Sequence, residues 1–354
     1  MTRVVAVDPD RPDPDLLDEA AAILRSGGLV AFGTETVYGL GADTTNSEAV
    51  ARIFEAKGRP PTNPLIVHVA DVPSAQTCVA DWPDPAGLLA DRFWPGPLTL
   101  VLPRSDLIAN LVTAGQATVG VRVPASAVAR DLIRRAGVPI AAPSANRSNR
   151  ISPTSAAHVL KDLDGAVDLI LDSGPCSVGI ESTVLDLSGP VPMILRPGDV
   201  TGDQIAAILG RSVAHFAGAV GSNQAAASPG QLAVHYAPRT PAYRLDPTSV
   251  GAFDPPAGKR WGAVILGEHP GHPALVPRGP AVVRSEATYH LQRSGTQLYD
   301  ALHRLDTLGL DYLVIVTPAD GEPGWLAVLD RVNRATHPWD KVEASMPEIS
   351  NRRG

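Results

Sequence analysis

The N-terminal half is organised around residues 29–41, which read Leu29-Val30-Ala31-Phe32-Gly33-Thr34-Glu35-Thr36-Val37-Tyr38-Gly39-Leu40-Gly41. The first four residues form a continuous apolar run that predicts a buried strand. Open α/β sheets bind ligands in the turns that follow their strands. Residues 34–41 are therefore predicted to be a ligand turn, or else a tight turn whose threonines satisfy backbone groups. They are not a dinucleotide fingerprint, because the third glycine is missing and no helix opens there.

Helix and strand patterns alternate outward from this segment. Asp13-Pro14 supplies the cap and first residue of a helix that Gly27-Gly28 ends, and a second helix begins after Asn46 and ends near Lys57-Gly58. Several connections are too short for crossovers, so the pattern predicts an α/β fold with a twisted mixed sheet and helical cover. Further strands are predicted at 65–69, 98–102, 118–123, 140–142, 167–171 and 182–187, and helices at 85–93, 126–136, 155–162 and 201–209.

A change in composition predicts a second, smaller domain. Residues 217–230 are rich in Ala, Gly and Ser, which is typical of a linker. The alternation after them predicts a Rossmann-like α/β domain, with strands at 261–266, 281–283 and 312–316 and helices at 296–308 and 325–335. The predicted division is a catalytic domain at 1–210, a linker at 211–240, the small domain at 241–345 and a tail at 346–354.

Composition excludes several classes of protein. The 354 residues are 44% hydrophobic and 19% charged, as in an ordinary globular chain. The net charge of −7 argues against nucleic-acid binding over a broad surface, because such binding must neutralise many phosphates. Only Cys78 and Cys176 are present, so neither a disulfide framework nor a cysteine metal site is indicated. The N-terminal run is too short for a signal peptide and no run is long enough to cross a bilayer, which predicts a cytoplasmic protein.

Two loops carry candidate anion-binding residues. In the first, Lys57 and Arg59 precede the rigid Pro60-Pro61. The compact charge of a lysine ammonium beside a guanidinium that can make two parallel hydrogen bonds suits phosphate oxygens. A lysine at a helix end also complements the helix dipole, which is the structural alternative. In the second, Ala142-Pro143-Ser144-Ala145-Asn146 follows a strand and offers hydrogen bonds, and Ser152-Pro153-Thr154 precedes a helix whose free N–H groups suit an anion. The alternative is that Thr154 caps that helix.

Two further arginines are candidates, whereas several catalytic classes are excluded. Arg122 alternates with valines on a strand, and an arginine on an interior face needs an anionic partner. Arg196 follows a strand and is most simply a surface residue. The sequence contains no phosphate-binding P-loop and no nucleophile elbow. Its histidines are scattered, with none at zinc spacing.

Taken in order, these segments resemble the YrdC-like family in its long, two-domain form, the threonylcarbamoyl-AMP synthases. The match runs nearly without gaps over residues 12–210 and continues through Ser228-Pro-Gly and His235-Tyr-Ala-Pro238. Its motifs are Thr34–Gly41, Lys57-x-Arg59, Asn63-Pro-Leu-Ile-Val-His68, Trp94-Pro-Gly-Pro-Leu-Thr99, Val121-Arg-Val-Pro124, Ala142-Pro-Ser-Ala-Asn146, Glu181-Ser-Thr183 and Leu195-Arg-Pro-Gly198.

The resemblance implies a nucleotidyltransferase that makes threonylcarbamoyl-AMP and pyrophosphate from L-threonine, bicarbonate and ATP, with Mg²⁺. The product would supply a downstream tRNA threonylcarbamoyl transferase complex that modifies adenosine 37, and direct tRNA contact is left open. By resemblance Lys57 and Arg59 are catalytic. ATP would be held by Lys57, Arg59, Asn63, Thr118, Ser144, Asn146, Ser152, Arg196 and Tyr236. Threonine would be held by Thr36, His68, Arg122, Ala142 and Ser182, and no side chain would bind a metal directly.

The sequence departs from the family pattern in three places. Relatives usually have proline where Gly33 stands and commonly glycine where Asn149 stands. The glycine-rich turn before the last helix reads Gly321-Glu-Pro-Gly-Trp325, which puts a nucleotide role of the second domain in doubt. Two other functions stay open, namely an RNA-binding or ribosome-associated module and carbamoyl transfer of the hydrogenase-maturation type. The acidic balance disfavours the first, and the missing acylphosphatase domain and zinc-finger cysteines disfavour the second.

Overall fold

Two sheets form the structure, a computed structural model that describes residues 1–216, 218, 228–229, 235–250, 253, 258–267, 285–291, 297–318 and 324–339. The first sheet consists of β1 (Arg3–Ala6), β2 (Val30–Gly33), β3 (Tyr38–Asp43), β4 (Ile66–His68), β5 (Leu98–Pro103), β6 (Thr118–Arg122), β7 (Ile140–Ala141), β8 (Leu169–Asp172), β9 (Thr183–Asp186), β10 (Met193–Arg196) and β11 (Ala214–His215). Its helices are α1 (Pro14–Arg25), α2 (Ser47–Lys57), α3 (Val72–Thr77), α4 (Asp84–Phe93), α5 (Ala127–Ala136), α6 (Ala156–Leu163) and α7 (Gly202–Leu209).

The strands of the first sheet run in both directions. Their order is β1-β8-β2-β3-β7-β4-β6-β5-β9-β10-β11. β1 and β8 are parallel, as are β4 and β6, whereas β2 with β3 and β5 with β6 are antiparallel. The predicted mixed sheet with helices is therefore confirmed. The first sheet extends to His215, a few residues beyond the predicted boundary at 210.

Local capping chemistry sets the helix ends near the site. The Asp13 side chain accepts from the N–H of Asp15 at the start of α1. Asn46 accepts from the N–H groups of Glu48 and Ala49 at the start of α2, and Gly58 ends α2 with a φ of 62°. These are the predicted signals. At α6 the cap is Ser155, which accepts from His158 N, so the alternative that Thr154 caps this helix is wrong.

Strand β3 corrects the prediction of a turn over residues 34–41. Only the segment between Gly33 and Tyr38 turns, and Tyr38–Asp43 pairs antiparallel with β2. Glycine is unfavourable in strands, which hid this element in the sequence. The structure shows why Gly41 stands there: a Cβ would lie 2.8 Å from Cε1 of Phe32 and 3.1 Å from the Val30 carbonyl oxygen.

The second sheet is parallel throughout. It contains β12 (Ala242–Leu245), β13 (Trp261–Leu266), β14 (Ser285–Leu291), β15 (Tyr312–Val316) and β16 (His337–Pro338), with α8 (Leu298–Leu305) and α9 (Leu326–Ala335). The order is β14-β13-β15-β12-β16, and each pairing is parallel. This confirms a Rossmann-like domain. The predicted strand at 281–283, most of the segment 217–230 and the segment 346–354 lie outside the described residues.

The two domains share an apolar cluster. Val37, Ile151 and Ile180 of the first domain pack with Tyr299 and Trp325 of the second in one buried group. The second domain therefore lies against the turn between β2 and β3 and against the segment before β9. No helix in the described ranges is long and apolar enough to cross a membrane.

Gly198 provides a test of the close packing around the segment before β9. A Cβ at this position would lie 2.3 Å from Thr183 N, 2.7 Å from the Ser182 carbonyl carbon and 2.8 Å from Glu181 O. Because these are backbone atoms, a side-chain rotation cannot relieve the clash. We expect Gly198→Ala to lower the free energy of unfolding by about 1–3 kcal/mol, measured by urea denaturation. Gly189→Ala is the matched control, since a Cβ there meets nothing within 4 Å, and an equal effect of both substitutions would contradict this account.

Candidate active site

A cavity lies where several strand ends of the first sheet meet. β4, β6 and β10 end here and β9 begins here, because β5, antiparallel to β6 and parallel to β9, returns the chain to the same edge. Residues of the turn between β2 and β3 also reach the cavity. The segment 235–236, from beyond the first sheet, closes one side. The cavity is lined by Thr34, Thr36, Val37, Gly39, Arg59, Ile66, His68, Arg122, Ala142, Pro143, Ser144, Glu181, Ser182, Arg196, Pro229, His235 and Tyr236.

One end of the cavity is built around the buried Arg122. Its Nε donates to Gly96 O at 3.1 Å and its Nη1 donates to Thr36 Oγ1 at 3.0 Å. Its Nη2 lies 2.7 Å from Glu35 Oε1, which supplies the anionic partner that the sequence requires. Glu35 Oε2 makes no hydrogen bond within the described part of the chain. Arg122 is thus held on three sides at the end of β6.

His68 stands beside Arg122 on the neighbouring strand. The two residues are register partners across the parallel pair β4 and β6. Burial, and then the nearby Arg122 charge, lower the pKa of His68 from 6.5 to about 3. The imidazole is therefore neutral at physiological pH, and among the described residues its Nδ1 has no hydrogen-bond partner. A neutral ring with an unused nitrogen can hold a small polar ligand.

Arg196 and Ser182 join the two ends of the cavity. Arg196 donates from Nε to Ser182 O at 3.1 Å and from Nη2 to Ser182 Oγ at 3.1 Å. The Ser182 hydroxyl also lies 2.8 Å from Thr99 Oγ1. Arg196 is only 5% exposed, so the sequence-based interpretation of it as a surface residue is wrong. A buried arginine whose acceptors among the described residues carry no charge is suited to an anionic ligand.

Arg59 forms the opposite end, and Asn63 lies next to it without lining the cavity. The loop fixes Arg59, whose Nε donates to Asn63 O at 3.1 Å and whose Nη2 donates to Pro64 O at 2.8 Å. Burial lowers the pKa of Arg59 to about 9, with a contribution from Arg196. Asn63 is 2% exposed, and neither polar atom of its amide has a partner among the described residues. Such an unsatisfied amide calls for a polar ligand or water.

Lys57 lies beneath the cavity and does not line it. Its Nζ donates to Ser144 O at 2.5 Å, to Asn146 O at 2.6 Å and to Asn146 Oδ1 at 3.1 Å. These three bonds use all the donors of the ammonium group. Burial lowers the pKa of Lys57 well below its usual value. In this structure Lys57 therefore holds the loop that presents Ser144.

The remaining predicted residues divide into lining and supporting groups. Ser144 lines the cavity, and its hydroxyl donates to Asn146 Oδ1 at 2.7 Å. Asn146 turns away from the cavity and donates to Arg150 O and Ile151 O. Ser152 lies behind the wall and donates to Glu181 Oε1 at 2.5 Å. Thr118 lines an adjoining hollow together with Pro64, Ser228 and Pro229.

Tyr236 covers the cavity from the segment that follows the first domain. It is 1% exposed and has a φ of 62°, which is costly for a residue with a side chain. The next residue, Ala237, donates from its N–H to Asn149 O at 2.9 Å. Asn149 itself has a φ of 64°. Asparagine tolerates this conformation better than most residues, so the departure from the glycine of relatives keeps the local backbone.

Sequence reasoning missed several charged and polar residues of the site. Glu35 and Glu181 belong to quoted motifs, and the need of a buried arginine for a counter-charge was the signal that could have found them. His235 is buried beside Tyr236, with ring centroids 4.0 Å apart. Arg331 donates to Glu181 from the second domain, and no local signal marks it. Between residue 1 and residue 339, no group of three His, Cys, Asp or Glu in the described ranges could hold a metal ion.

Comparison with known proteins identifies both domains. The Sua5/YciO/YrdC family model, described as "Telomere recombination", matches residues 22–198. The model described as "Threonylcarbamoyl-AMP synthase, C-terminal domain" matches residues 200–336. The threonylcarbamoyl-AMP synthase of Bacillus subtilis is 41% identical over 330 residues, covering 91% of this chain and 93% of the relative. That of Pyrococcus abyssi is 40% identical over 321 residues, covering 90% and 93%. The crystal structure of P. abyssi Sua5 complexed with L-threonine superposes with a TM-score of 0.83 at 35% identity, covering 95% of this chain and 98% of that one.

Lys57 generates a test that separates support of the loop from direct contact with a ligand. Lys57→Met leaves three buried acceptors without their donor, so we expect a loss of at least about 2 kcal/mol in the free energy of unfolding. Urea denaturation measures the loss, with Lys161→Met on the exposed face of α6 as the control. Full stability of Lys57→Met together with lost nucleotide binding would favour the sequence-based prediction, in which Lys57 contacts ATP directly.

Proposed function

The chain belongs to the Sua5-type threonylcarbamoyl-AMP synthase family, and we propose that it makes threonylcarbamoyl-AMP and pyrophosphate from L-threonine, bicarbonate and ATP. One observation carries the proposal: a single cavity joins the end built around Arg122 and His68 to the end built around Arg59, with Arg196 and Ser182 between them. Two substrates of unlike chemistry can therefore meet within bonding distance. The product would serve tRNA N6-threonylcarbamoyladenosine synthesis.

The end around Arg122 is the proposed threonine site. The guanidinium would bind the threonine carboxylate while Glu35 and Gly96 O keep it in place. The neutral His68 and the hydroxyl of Thr36 would hydrogen-bond the amine and side-chain hydroxyl, and Ser182 and the backbone of Ala142 would complete the site. The P. abyssi relative has been crystallised with L-threonine, which supports L-threonine as a ligand of this chain.

The other end is the proposed ATP site. Arg59 and Arg196 would bind the triphosphate. The Ser144 hydroxyl would turn from Asn146 to a phosphate oxygen, and the unpartnered amide of Asn63, next to Arg59, would hydrogen-bond the nucleotide. Tyr236 would close over the nucleotide, in keeping with a closing role for the segment 211–240. The supporting residues are Lys57, Asn146 and Ser152, and Thr118 would meet the nucleotide in the adjoining hollow.

The chemistry proposed for this cavity needs positioned charges rather than a protein nucleophile. The threonine amine condenses with bicarbonate to a carbamate, with loss of water. A carbamate oxygen then bonds to the α-phosphorus of ATP as the bond from that phosphorus to the departing pyrophosphate breaks. The protein contributes by holding the two reactants in line and by placing Arg59 and Arg196 where negative charge gathers.

Mg²⁺ would enter with the nucleotide. The two carboxylates beside the cavity, Glu35 and Glu181, are each paired with an arginine, so they do not form a metal site. Mg²⁺ usually binds triphosphate oxygens and keeps several waters. When bound it would neutralise charge on the triphosphate. The reaction would take place in the cytoplasm, and a downstream tRNA threonylcarbamoyl transferase would consume the product.

The proposed reaction is tested by its dependence on both small substrates. We expect pyrophosphate release from ATP to require both L-threonine and bicarbonate, because the attacking group is their carbamate. A coupled pyrophosphate assay in carbon dioxide-free buffer, with each substrate omitted in turn, measures it. Release that is indifferent to bicarbonate would contradict the proposal, and RNA binding without either substrate would favour the RNA-binding alternative.

Matched arginine-to-lysine variants test the assignment of the two ends. Arg122→Lys should raise KM for threonine by about ten-fold or more with little change in KM for ATP, because lysine cannot form the fork-shaped contact. Arg59→Lys should show the reverse pattern. Each variant serves as the control for the other. An equal rise of both constants in both variants would show that the ends are not separate.

A further inference from the structure

A buried arginine of the second domain reaches the wall of the active site. Arg331, on α9, is 0% exposed. Its Nε donates to Glu181 Oε2 at 2.8 Å, across the boundary between the domains. Its Nη1 donates to Asp330 Oδ2 at 2.8 Å. Glu181 is 6% exposed and lines the cavity directly before Ser182.

Glu181 lies near two buried arginines, and the structure pairs it with only one of them. Burial acts to raise the pKa of the Glu181 carboxyl, but Arg331, then Arg196, and hydrogen bonds from Ser152 and Arg331 outweigh it and hold the pKa at about 2. The carboxylate is therefore charged at physiological pH. Its ion pair is with Arg331.

Arg196 is left with uncharged acceptors as a result. Among the described residues it donates to Ser182 O, to Ser182 Oγ and, at 3.4 Å, to Pro229 O. A carboxylate is a stronger partner for a guanidinium than a carbonyl or a hydroxyl oxygen. If Arg331 were absent, Glu181 would be a buried and unpaired charge, which is strongly unfavourable. Arg196 is the nearby cation that could pair with it.

The same domain also touches the residue that covers the cavity. The Arg331 guanidinium lies over the Tyr236 ring, 5.2 Å from its centroid. Tyr299, on α8, stacks with Tyr236 at 5.9 Å and donates from its hydroxyl to Glu181 Oε2 at 3.0 Å. Two residues of the second domain therefore bind both Glu181 and Tyr236.

We propose that Arg331 is a positioning residue of the active site: by pairing with Glu181 it keeps that carboxylate away from Arg196, which then binds the phosphates of ATP. This gives the second domain an indirect part in ATP binding, through Glu181 and Arg196. The proposal rests on the proposed function for the identity of the ligand. A purely structural role of Arg331 in domain packing makes a different prediction. Under the proposal, the loss of ATP affinity on removing Arg331 is caused by the unpaired charge of Glu181.

The two roles are distinguished by removing Glu181's charge together with Arg331. The full chain is titrated by calorimetry with the α,β-methylene analogue of ATP and Mg²⁺, without threonine. Arg331→Met should weaken analogue binding by about ten- to hundred-fold, the worth of a charge-assisted contact. Glu181→Gln supplies the background without that charge, and its own affinity is the reference for the double variant. Adding Arg331→Met in the Glu181→Gln background should cost no further affinity.

The opposite result overturns the proposal. Unchanged binding by Arg331→Met, or an equal loss in the Glu181→Gln background, would show that Glu181's charge is not the cause. If Arg331→Met does not fold alone, the comparison within the Glu181→Gln background still decides. Arg304→Met is the matched control, because Arg304 of α8 is exposed and pairs only on the surface with Asp300.

Steady-state kinetics separates this proposal from the proposed function. Arg331→Met should raise KM for ATP and leave KM for threonine within about two-fold, whereas a general loss of packing would alter both. If the unaltered protein released no threonine-dependent pyrophosphate but the binding pattern held, the proposed function would fail and the role of Arg331 would stand. If the unaltered protein released pyrophosphate normally but Arg331→Met bound the ATP analogue as tightly as the unaltered protein, the proposed function would stand and the role of Arg331 would fail.

Discussion

The burial of positive charge at one edge of the first sheet is the constraint on which the rest of the structure depends. Lys57, Arg59, Arg122, Arg196 and Arg331 are each no more than 6% exposed. A buried cation must have hydrogen-bonding or charged partners. Without them, its loss of hydration destabilises the folded state by roughly several kcal/mol. The protein satisfies this requirement in two different ways, and the difference defines the site.

Two of these cations have carboxylate partners and three have uncharged ones. Arg122 pairs with Glu35, and Arg331 pairs with Glu181. Lys57, Arg59 and Arg196 donate in the described structure to carbonyl, amide and hydroxyl oxygens. The cluster therefore carries an excess of positive charge in a place with little water. A polyanionic substrate is the natural complement, which agrees with ATP as the proposed ligand.

The mixed sheet explains how residues from distant parts of the chain come to share one cavity. A parallel pair places the ends of β4 and β6 side by side, so His68 and Arg122 meet in register. Antiparallel neighbours return the chain to the same edge, which adds the start of β9 and the end of β10. The segment with Tyr236 then closes the open side, and the second domain contacts both Tyr236 and Glu181. The lining comes from the first domain and from the segment that follows it, and the second domain supports the site from behind.

Local sequence determined the elements, and tertiary structure decided the roles of the charged residues. The caps at Asp13 and Asn46 and the apolar run before Gly33 act over a few residues, so their outcome can be predicted from the chain alone. Strand β3 could not be predicted, since its glycines are there because Phe32 and Ala142 approach closely in space. Within residues 29–41 the strand is as predicted, but it continues into a hairpin whose turn carries Glu35, the counter-ion of Arg122. The motifs placed most candidate residues around one cavity, yet whether Lys57 faces a ligand or the loop beneath it depends on which acceptors surround its ammonium. Arg331 lies 150 positions from Glu181 along the chain, and only the packing of the second domain brings the two charges together.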